Sequence, residues 1–293
     1  MMERLDNWIA RLTDPALRAS VLRLFPVAVF SWMVINAFMV WDVRDMLWGS
    51  DTLLMRYGAT LGLIENVVYK LMYVPSIFPV IYFGHVACSL AGIWNWKWAF
   101  IPRTLAWFSG LMLYFGAIPA FNSGMLLMLL LAFYSIPVFV GASHSFRRVL
   151  NQFSWYAGAL QVLLCYLFPS IYKLTGEQWL SGEAVYYSLH IERFSHPVLR
   201  NGSFLENDFL LLTLSYFAFS YQVLFPLMVL WKKHRGWFLL IGVGLHLFIA
   251  IVMNLWDFGL AMIFAYVLFL GEGSSRFLEK SFLIRSKQIP KNS

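Results

Sequence analysis

One lysine stands where a long apolar segment ends. Residues 155–172 are apolar enough to enter a membrane, and they run directly into Lys173. An amine at that position is costly to bury, so it needs a reason to be there. Desolvation disfavours the charged form of an amine, so a buried lysine can serve as a general base. The alternative is a lysine that snorkels, with its stem buried and its amine in water.

The polar stretch after Lys173 carries further candidate residues. We assign His190 to the catalytic group with Lys173, and Trp179 and Tyr172 to the cofactor-binding group. Tyrosines at this depth are also common as plain interfacial aromatics. His190 and His196 flank Glu192, but this is no standard ligand set and its spacing is poor for one helical face. We therefore predict no metal site.

Three more polar side chains lie inside apolar segments. His246 and His85 each sit near the middle of one, and Gln222 sits near the middle of another. An ionisable residue inside a membrane is a functional hypothesis by default. We assign His246 to the catalytic group, and His85 and Gln222 to the cofactor-binding group. The alternative for each is a hydrogen bond to a neighbouring helix.

The elements that position these residues must be membrane helices. The chain has 293 residues, of which 60% are hydrophobic and 13% are charged, whereas about 25% of a soluble domain is charged. We predict an all-α, polytopic helical bundle in the plasma or inner membrane. Its net charge of +7 fits basic cytoplasmic loops, and no basic stripe with exposed aromatics indicates a nucleic-acid partner. Cys88 and Cys165 read as packing residues.

Apolar runs of about 20 residues define the spans. Eight are predicted, at residues 21–41, 74–94, 103–120, 125–142, 149–172, 209–231, 237–254 and 258–270. They form one transmembrane domain over residues 21–270. Residues 1–20 are predicted to form a cytoplasmic amphipathic segment and residues 271–293 a basic cytoplasmic tail. Asn254 and Asp257 divide the last long apolar stretch.

The basic residues predict the orientation of these spans. With eight spans, every cluster of Lys and Arg falls on one side, including Arg18 and Arg23, Lys97 and Arg103, Arg147 and Arg148, and Lys232, Lys233 and Arg235. Cytoplasmic loops hold such an excess, so both termini are predicted to be cytoplasmic. Residues 174–207 then form a long outer loop, and long loops with chemistry-capable residues are usually functional.

Several motifs together resemble a known family. They are Tyr156-Ala157-Gly158, Tyr172-Lys173-Leu174 followed by Trp179, Gly182 and His190, then Phe225-Pro226-Leu227, Gly244-Leu245-His246 and Phe258-Gly259-Leu260-Ala261-Met262. Over about residues 20–270 the chain resembles the membrane domain of vitamin K-dependent gamma-glutamyl carboxylase. It also resembles the wider HTTM (horizontally transferred transmembrane) proteins.

The resemblance implies a function for Lys173. It makes this residue the analogue of the family's lysine base, which deprotonates vitamin K hydroquinone. Oxygen then generates a stronger base, which removes a glutamate gamma-proton before carbon dioxide is captured. His144, in Ser143-His144-Ser145-Phe146, matches a family histidine motif, but the predicted topology puts His144 on the opposite side of the membrane from Lys173. The resemblance covers the membrane domain alone, so we do not expect the carboxylase's large lumenal domain in these 293 residues.

The function expected is therefore an integral-membrane enzyme that uses Lys173 and a quinol-like lipid cofactor to modify a peptide or small substrate. The alternative is a non-catalytic membrane protein that assists peptide maturation or assembly, or that binds quinone or lipid, with a partner membrane protein. A transporter is third, since no internal repeat is visible. No Gly-rich phosphate loop or GxSxG motif supports nucleotide or hydrolase chemistry.

Overall fold

The structure is a computed structural model, and it describes residues 18–49, 62–72, 74, 76–139, 145–192 and 206–282. This part of the chain is helical throughout and contains no strand. The α-helices are α1 Ala19–Met39, α2 Arg44–Trp48, α3 Leu63–Met72, α4 Ile77–Ile93, α5 Phe100–Gly116, α6 Ser123–Ser135, α7 Ser145–Lys173, α8 Glu177–Leu180, α9 Ala184–His190, α10 Asp208–Met228, α11 Arg235–Val252, α12 Trp256–Ala265 and α13 Glu272–Phe282. The predicted amphipathic segment before residue 18, His144, His196 and the tail beyond residue 282 lie outside the described residues.

Among the residues that the structure describes, fewer helices than the eight predicted are long and apolar enough to cross a membrane. By length and composition, α1, α7, α10 and α11 are long and apolar enough. A fifth span results if residues 256–281 count as one, although they bend by 117°. The helices α4 and α6 are apolar but have only 17 and 13 residues, or about 25 and 20 Å, against a hydrocarbon core of about 30 Å. Apolar runs in the sequence extended past the helix ends into turns, which explains the difference.

Many large apolar side chains on these helices are exposed, as a lipid-facing surface requires. On α10, Phe209 is 79% exposed and Leu227 is 65% exposed. On α11, Trp237 is 72% exposed. The chain is therefore a helical membrane protein, with four or five candidate spans among its described residues.

The helix α1 is the centre of the bundle. It packs against α4, α6, α12 and α13. Phe25, Phe30 and Trp32 on this helix are fully buried, in one large apolar core. Between membrane helices such side chains stabilise the bundle through van der Waals packing. Because α1 packs against four other helices, the fold depends on α1.

A buried arginine joins four helix ends. Arg103 was predicted as the first residue of the third span and counted with the cations that join it to the second. The helix α5 begins earlier, at Phe100, so Arg103 lies inside its first turns and is fully buried. Its Nε donates to the Gly92 carbonyl at 3.0 Å, Nη1 to the Val138 carbonyl at 3.0 Å, and Nη2 to Asn95 Oδ1 at 2.6 Å. Asn95 in turn donates to the Arg23 carbonyl at 2.9 Å. These bonds place the start of α1, the end of α4, the start of α5 and the end of α6 at one end of the bundle.

The opposite end is fixed by polar contacts of its own. Asn122 caps α6 through a 2.8 Å bond from the Gly124 N–H, and its Nδ2 donates to Asp257 Oδ1 at 2.6 Å. The break between α11 and α12 falls at Asn254, whose φ of 54° is left-handed. Asparagine tolerates that conformation better than most residues. The predicted interruption is thus a real break at Asn254, whereas Asp257 lies in the first turn of α12.

Candidate functional site

A largely apolar cavity of about 640 Å³ lies between α7, α10, α11 and α12. Its volume is within the range of about 300–1,000 Å³ that is usual for small-molecule sites. Phe217 and Ile241 line it and are 44% and 46% exposed. The cavity therefore reaches the apolar outer surface between α10 and α11, from which a lipid-soluble molecule could enter.

Four of the residues singled out in the sequence line this one cavity. They are Lys173, Trp179, Gln222 and His246. They come from the end of α7, the segment that follows it, α10 and α11. An apolar pocket on which a few polar side chains converge is the usual form of a binding or active site, so the cavity is the candidate site.

Lys173 is held by two groups at the mouth of the cavity. Its Nζ donates to Gln222 Oε1 at 2.5 Å. The same nitrogen lies 3.8 Å from the centroid of the Trp179 ring, a cation–π distance. The side chain is partly buried and turned inward, so it does not simply snorkel along the outer surface of the bundle.

The short helices after α7 place Trp179 over the amine. Gly182 has a φ of 82°, a left-handed conformation that suits glycine. A Cβ there would also contact the Tyr216 ring at 3.0 Å. Tyr216 donates from its hydroxyl to the Leu180 carbonyl at 2.8 Å. This turn is thereby fixed against α10, with Trp179 facing the cavity.

Three buried tyrosines and one histidine form a hydrogen-bonded cluster at the wall of the same cavity. Tyr166 and Tyr266 join their hydroxyls at 2.6 Å, and Tyr266 and Tyr221 at 3.0 Å. The Tyr166 hydroxyl also lies 2.7 Å from His246 Nε2. This tyrosine cluster, Tyr166, Tyr221 and Tyr266, connects α7, α10 and the 3₁₀ turn Tyr266–Phe269 after α12.

The order of donors in the cluster fixes the histidine tautomer. The Tyr221 hydroxyl donates to the Phe238 carbonyl at 3.2 Å, so its one proton is used. Tyr266 must then donate to Tyr221, and Tyr166 to Tyr266, since each hydroxyl has a single proton. The remaining bond runs from His246 Nε2–H to the Tyr166 oxygen. His246 Nδ1 is left as an acceptor.

That acceptor is unusual because it is buried and finds no partner. Nδ1 of His246 forms no hydrogen bond with any described residue. A buried polar atom without a partner costs roughly 1–3 kcal/mol. His246 lines the cavity, but its Nδ1 is itself closed to a molecule the size of water. A ligand that donates a hydrogen bond to Nδ1 would recover this cost once a neighbouring side chain moves aside.

The remaining assigned residues lie elsewhere. His85 is buried between α4 and α5, where its Nδ1 donates to the Ala106 carbonyl at 3.0 Å. Tyr172 is 76% exposed. His190 is exposed, and its Nδ1 donates to the Tyr186 carbonyl at 2.8 Å. None of the three is among the residues that line the cavity, so their assigned roles stay predictions.

The tyrosine cluster and Arg103 were missed in the sequence. A tyrosine in the middle of an apolar segment needs a partner for its hydroxyl, and Tyr166, Tyr221 and Tyr266 each met that description. The segments are far apart in the chain, however, so nothing local showed that the hydroxyls meet. The third span was predicted to start just after Pro102, but proline is tolerated in the first turn of a helix. The helix therefore begins earlier, at Phe100, and encloses Arg103.

The arrangement supplies a proton acceptor and a hydrogen-bond acceptor in an apolar space. Lys173, if neutral, can take a proton, while His246 Nδ1 can accept from a hydroxyl or amide of a ligand. Among the described residues, no three His, Cys, Asp or Glu side chains are grouped as metal ligands.

Comparisons with protein-family models, curated proteins and solved structures found no match to this chain. The interpretation of the site therefore depends on its own geometry.

Proposed function

We propose that this protein is an integral-membrane enzyme that binds a lipid-soluble ligand with a quinol-like hydroxyl in the 640 Å³ cavity and removes its proton with Lys173. The observation that carries the proposal is the cavity itself. It combines apolar walls, an inward-facing amine and the unpartnered Nδ1 of His246. A quinol fits these groups because it has an apolar ring and two hydroxyl donors.

The proton transfer is simple to state. The ligand's O–H bond breaks and an N–H bond forms at Lys173 Nζ, so the anion and the ammonium are produced side by side. Gln222 Oε1 and the Trp179 ring stabilise the ammonium that results. The amide oxygen carries a partial negative charge, and the face of the ring is the negative side of its quadrupole. General-base catalysis of this kind contributes roughly 10²–10⁴-fold to a rate.

The resemblance to the carboxylase membrane domain belongs to this proposal. A quinol, when bound, would supply the reaction with oxygen that generates a stronger base. The final substrate would be a peptide or small molecule with an acidic C–H bond. Lys173, Trp179 and Gln222 are the residues that would hold the polar end of the quinol, and His246 would accept from its second hydroxyl.

A second candidate function follows from the contacts of Lys173. The carbonyl oxygen of Gln222 and the ring of Trp179 also suit a lysine that stays protonated throughout. Such a lysine would bind an anionic or quinone ligand without chemistry, as in a lipid-binding or maturation subunit. The two functions differ in whether the ligand is consumed.

We also propose eight membrane crossings with both termini cytoplasmic. The Arg103 bonds gather the ends of α1, α4, α5 and α6 at one end of the bundle. Arg23 pairs there with Glu279 of α13 at 2.5 Å. In this arrangement α4, α5, α6 and α12 cross as short helices. The helices α4, α6 and α12 pack against α1, α5 packs against α4 and α6, and Lys173 lies at the outer end.

A cavity-filling variant tests the proposed function. Gly244 lines the cavity, and a Cβ built on it meets nothing within 4 Å. Gly244→Leu should therefore fold normally while filling the space. We expect it to lose binding and aerobic consumption of added vitamin K hydroquinone, measured in detergent by fluorescence and by quinone absorbance.

Gly84→Leu is the matched control. Gly84 is also helical with open space at its Cβ, but it does not line this cavity. It should bind and consume the hydroquinone as the unsubstituted protein does. Binding without consumption in the unsubstituted protein would favour the non-catalytic function. Equal behaviour of both leucine variants would refute the cavity as the site.

A further inference from the structure

A second cavity, of about 760 Å³, lies against residues 155–163 in the middle of α7. Three cations line its mouth: Arg18, Lys232 and Arg235. They come from the start of α1, the turn after α10 and the start of α11. Trp155 lines it too and precedes Lys173 by 18 residues of one helix, which is about 27 Å. The linings of the two cavities share no described residue, so this basic cavity is distinct from the candidate site, although Leu163 in its wall lies two residues from Cys165 of the other cavity.

The cations of the basic cavity have little neutralising charge around them. The Arg18 guanidinium lies 3.7 Å from the centroid of the Trp155 ring and donates to Gln152 Oε1 at 3.4 Å, a neutral acceptor. Arg235 has no side-chain hydrogen bond or ion pair within the part of the chain that the structure describes. Among the described residues that line the cavity, Glu272 is the one carboxylate, and it forms an ion pair with Arg276.

Beneath the cations the walls become apolar. Ala159, Leu163, Val229 and Leu268 line the interior. A second groove, lined by α1, α11 and α12, begins on the other side of Arg235, which lines both cavities. Leu240 and Val243 belong to that groove. A positive mouth between two apolar clefts is complementary to an anionic head group that carries acyl chains.

We propose that the basic cavity binds the head group of an anionic phospholipid, with its acyl chains in the apolar clefts. The phosphate contacts Arg18 and Arg235, and Lys232 adds charge at the rim. Arginine suits this contact because its planar guanidinium donates two hydrogen bonds to one phosphate. The cavity lies at the end of the bundle where the basic clusters gather, and basic pockets between cytoplasmic helix ends are typical binding sites for such lipids.

A free phosphate shares the head-group chemistry, and the experiment separates the two sources. The full chain in a neutral detergent would receive phosphatidylglycerol, phosphatidylcholine or inorganic phosphate, with binding followed by native mass spectrometry and by the melting midpoint. We expect stoichiometric binding and a raised midpoint with phosphatidylglycerol alone. An equal response to inorganic phosphate, or to phosphatidylcholine, would overturn the proposal.

Charge-removing variants locate the site. At about 5-fold in affinity per basic side chain, Arg18→Gln with Arg235→Gln should weaken phosphatidylglycerol binding about 25-fold. Lys232→Gln alone, at an exposed position that does not endanger folding, should weaken it about 5-fold. The control removes two exposed cations from the same predicted side, Lys97→Gln with Arg147→Gln, and should bind normally. Equal loss in the control would overturn the proposal, since it would mean a general attraction to negative lipid.

Discussion

The buried Nδ1 of His246 has no hydrogen-bond partner among the described residues, and a bound ligand could supply one. Replacing His246 with Leu removes this atom together with the bond to Tyr166. We expect binding of vitamin K hydroquinone to weaken about tenfold, the equivalent of one lost hydrogen bond. The measurement is a fluorescence titration on purified protein.

His85→Leu is the comparison for that prediction. His85 is equally buried, but it is hydrogen-bonded to Ala106 and lies outside the cavity. Its loss should lower the melting temperature and leave the affinity for hydroquinone unchanged. If His246→Leu also changed only the melting temperature, His246 would be a structural residue.

In the sequence, polar residues within apolar segments were the most informative about the site, because burying a polar side chain costs free energy. Lys173, Gln222 and His246 could be selected for that reason, and the structure brings them to one cavity. His85 was selected by the same reasoning and is satisfied by a backbone carbonyl. A buried histidine looks the same in sequence whether its partner is a ligand or a neighbouring helix, so only the three-dimensional arrangement separates the two.

At the scale of helices, the close packing of α11 against the tyrosine cluster depends on one glycine, Gly242. A Cβ on Gly242 would collide with the hydroxyls of Tyr221 and Tyr266. Gly242→Ala should therefore push the cluster apart and destabilise the fold by about 1–3 kcal/mol, the usual cost of overpacking. Thermal unfolding in detergent measures this.

Gly244→Ala on the same helix is its control. A Cβ there meets nothing within 4 Å, so the variant should match or exceed the stability of the unsubstituted protein, because alanine favours a helix by about 1 kcal/mol over glycine. Equal melting temperatures for the two alanine variants would contradict the close packing of the tyrosine cluster.

Helix positions followed from apolar runs, but their lengths did not. The run at residues 125–142 became a helix of 13 residues that ends at Ser135. Hydropathy counts the apolar residues of turns together with those of helices, whereas hydrogen bonding ends the helix earlier. Arg103 shows the opposite case, in which a charged residue lies inside a helix because three acceptors surround it.

For the whole molecule, the gathering of basic helix ends predicts the orientation. Reporters that fluoresce only in the cytoplasm, fused in separate proteins before Met1 and after Ser293, should both be bright. An even number of crossings requires that the two agree, and the excess of Lys and Arg places them inside. A dark but stably expressed fusion at one end alone would mean an odd number of spans, with α12 or another short helix failing to cross.

Replacing Lys173 tests most directly whether this residue takes a proton from the ligand. Aerobic consumption of vitamin K hydroquinone would be measured for Lys173→Arg and Lys173→Ala at matched expression and stability. We predict that both fall about 10²–10⁴-fold, since guanidinium stays protonated and alanine has no base. We also predict that added methylamine partly restores the alanine variant. Full consumption in the arginine variant would contradict the account, because a cation alone would then suffice.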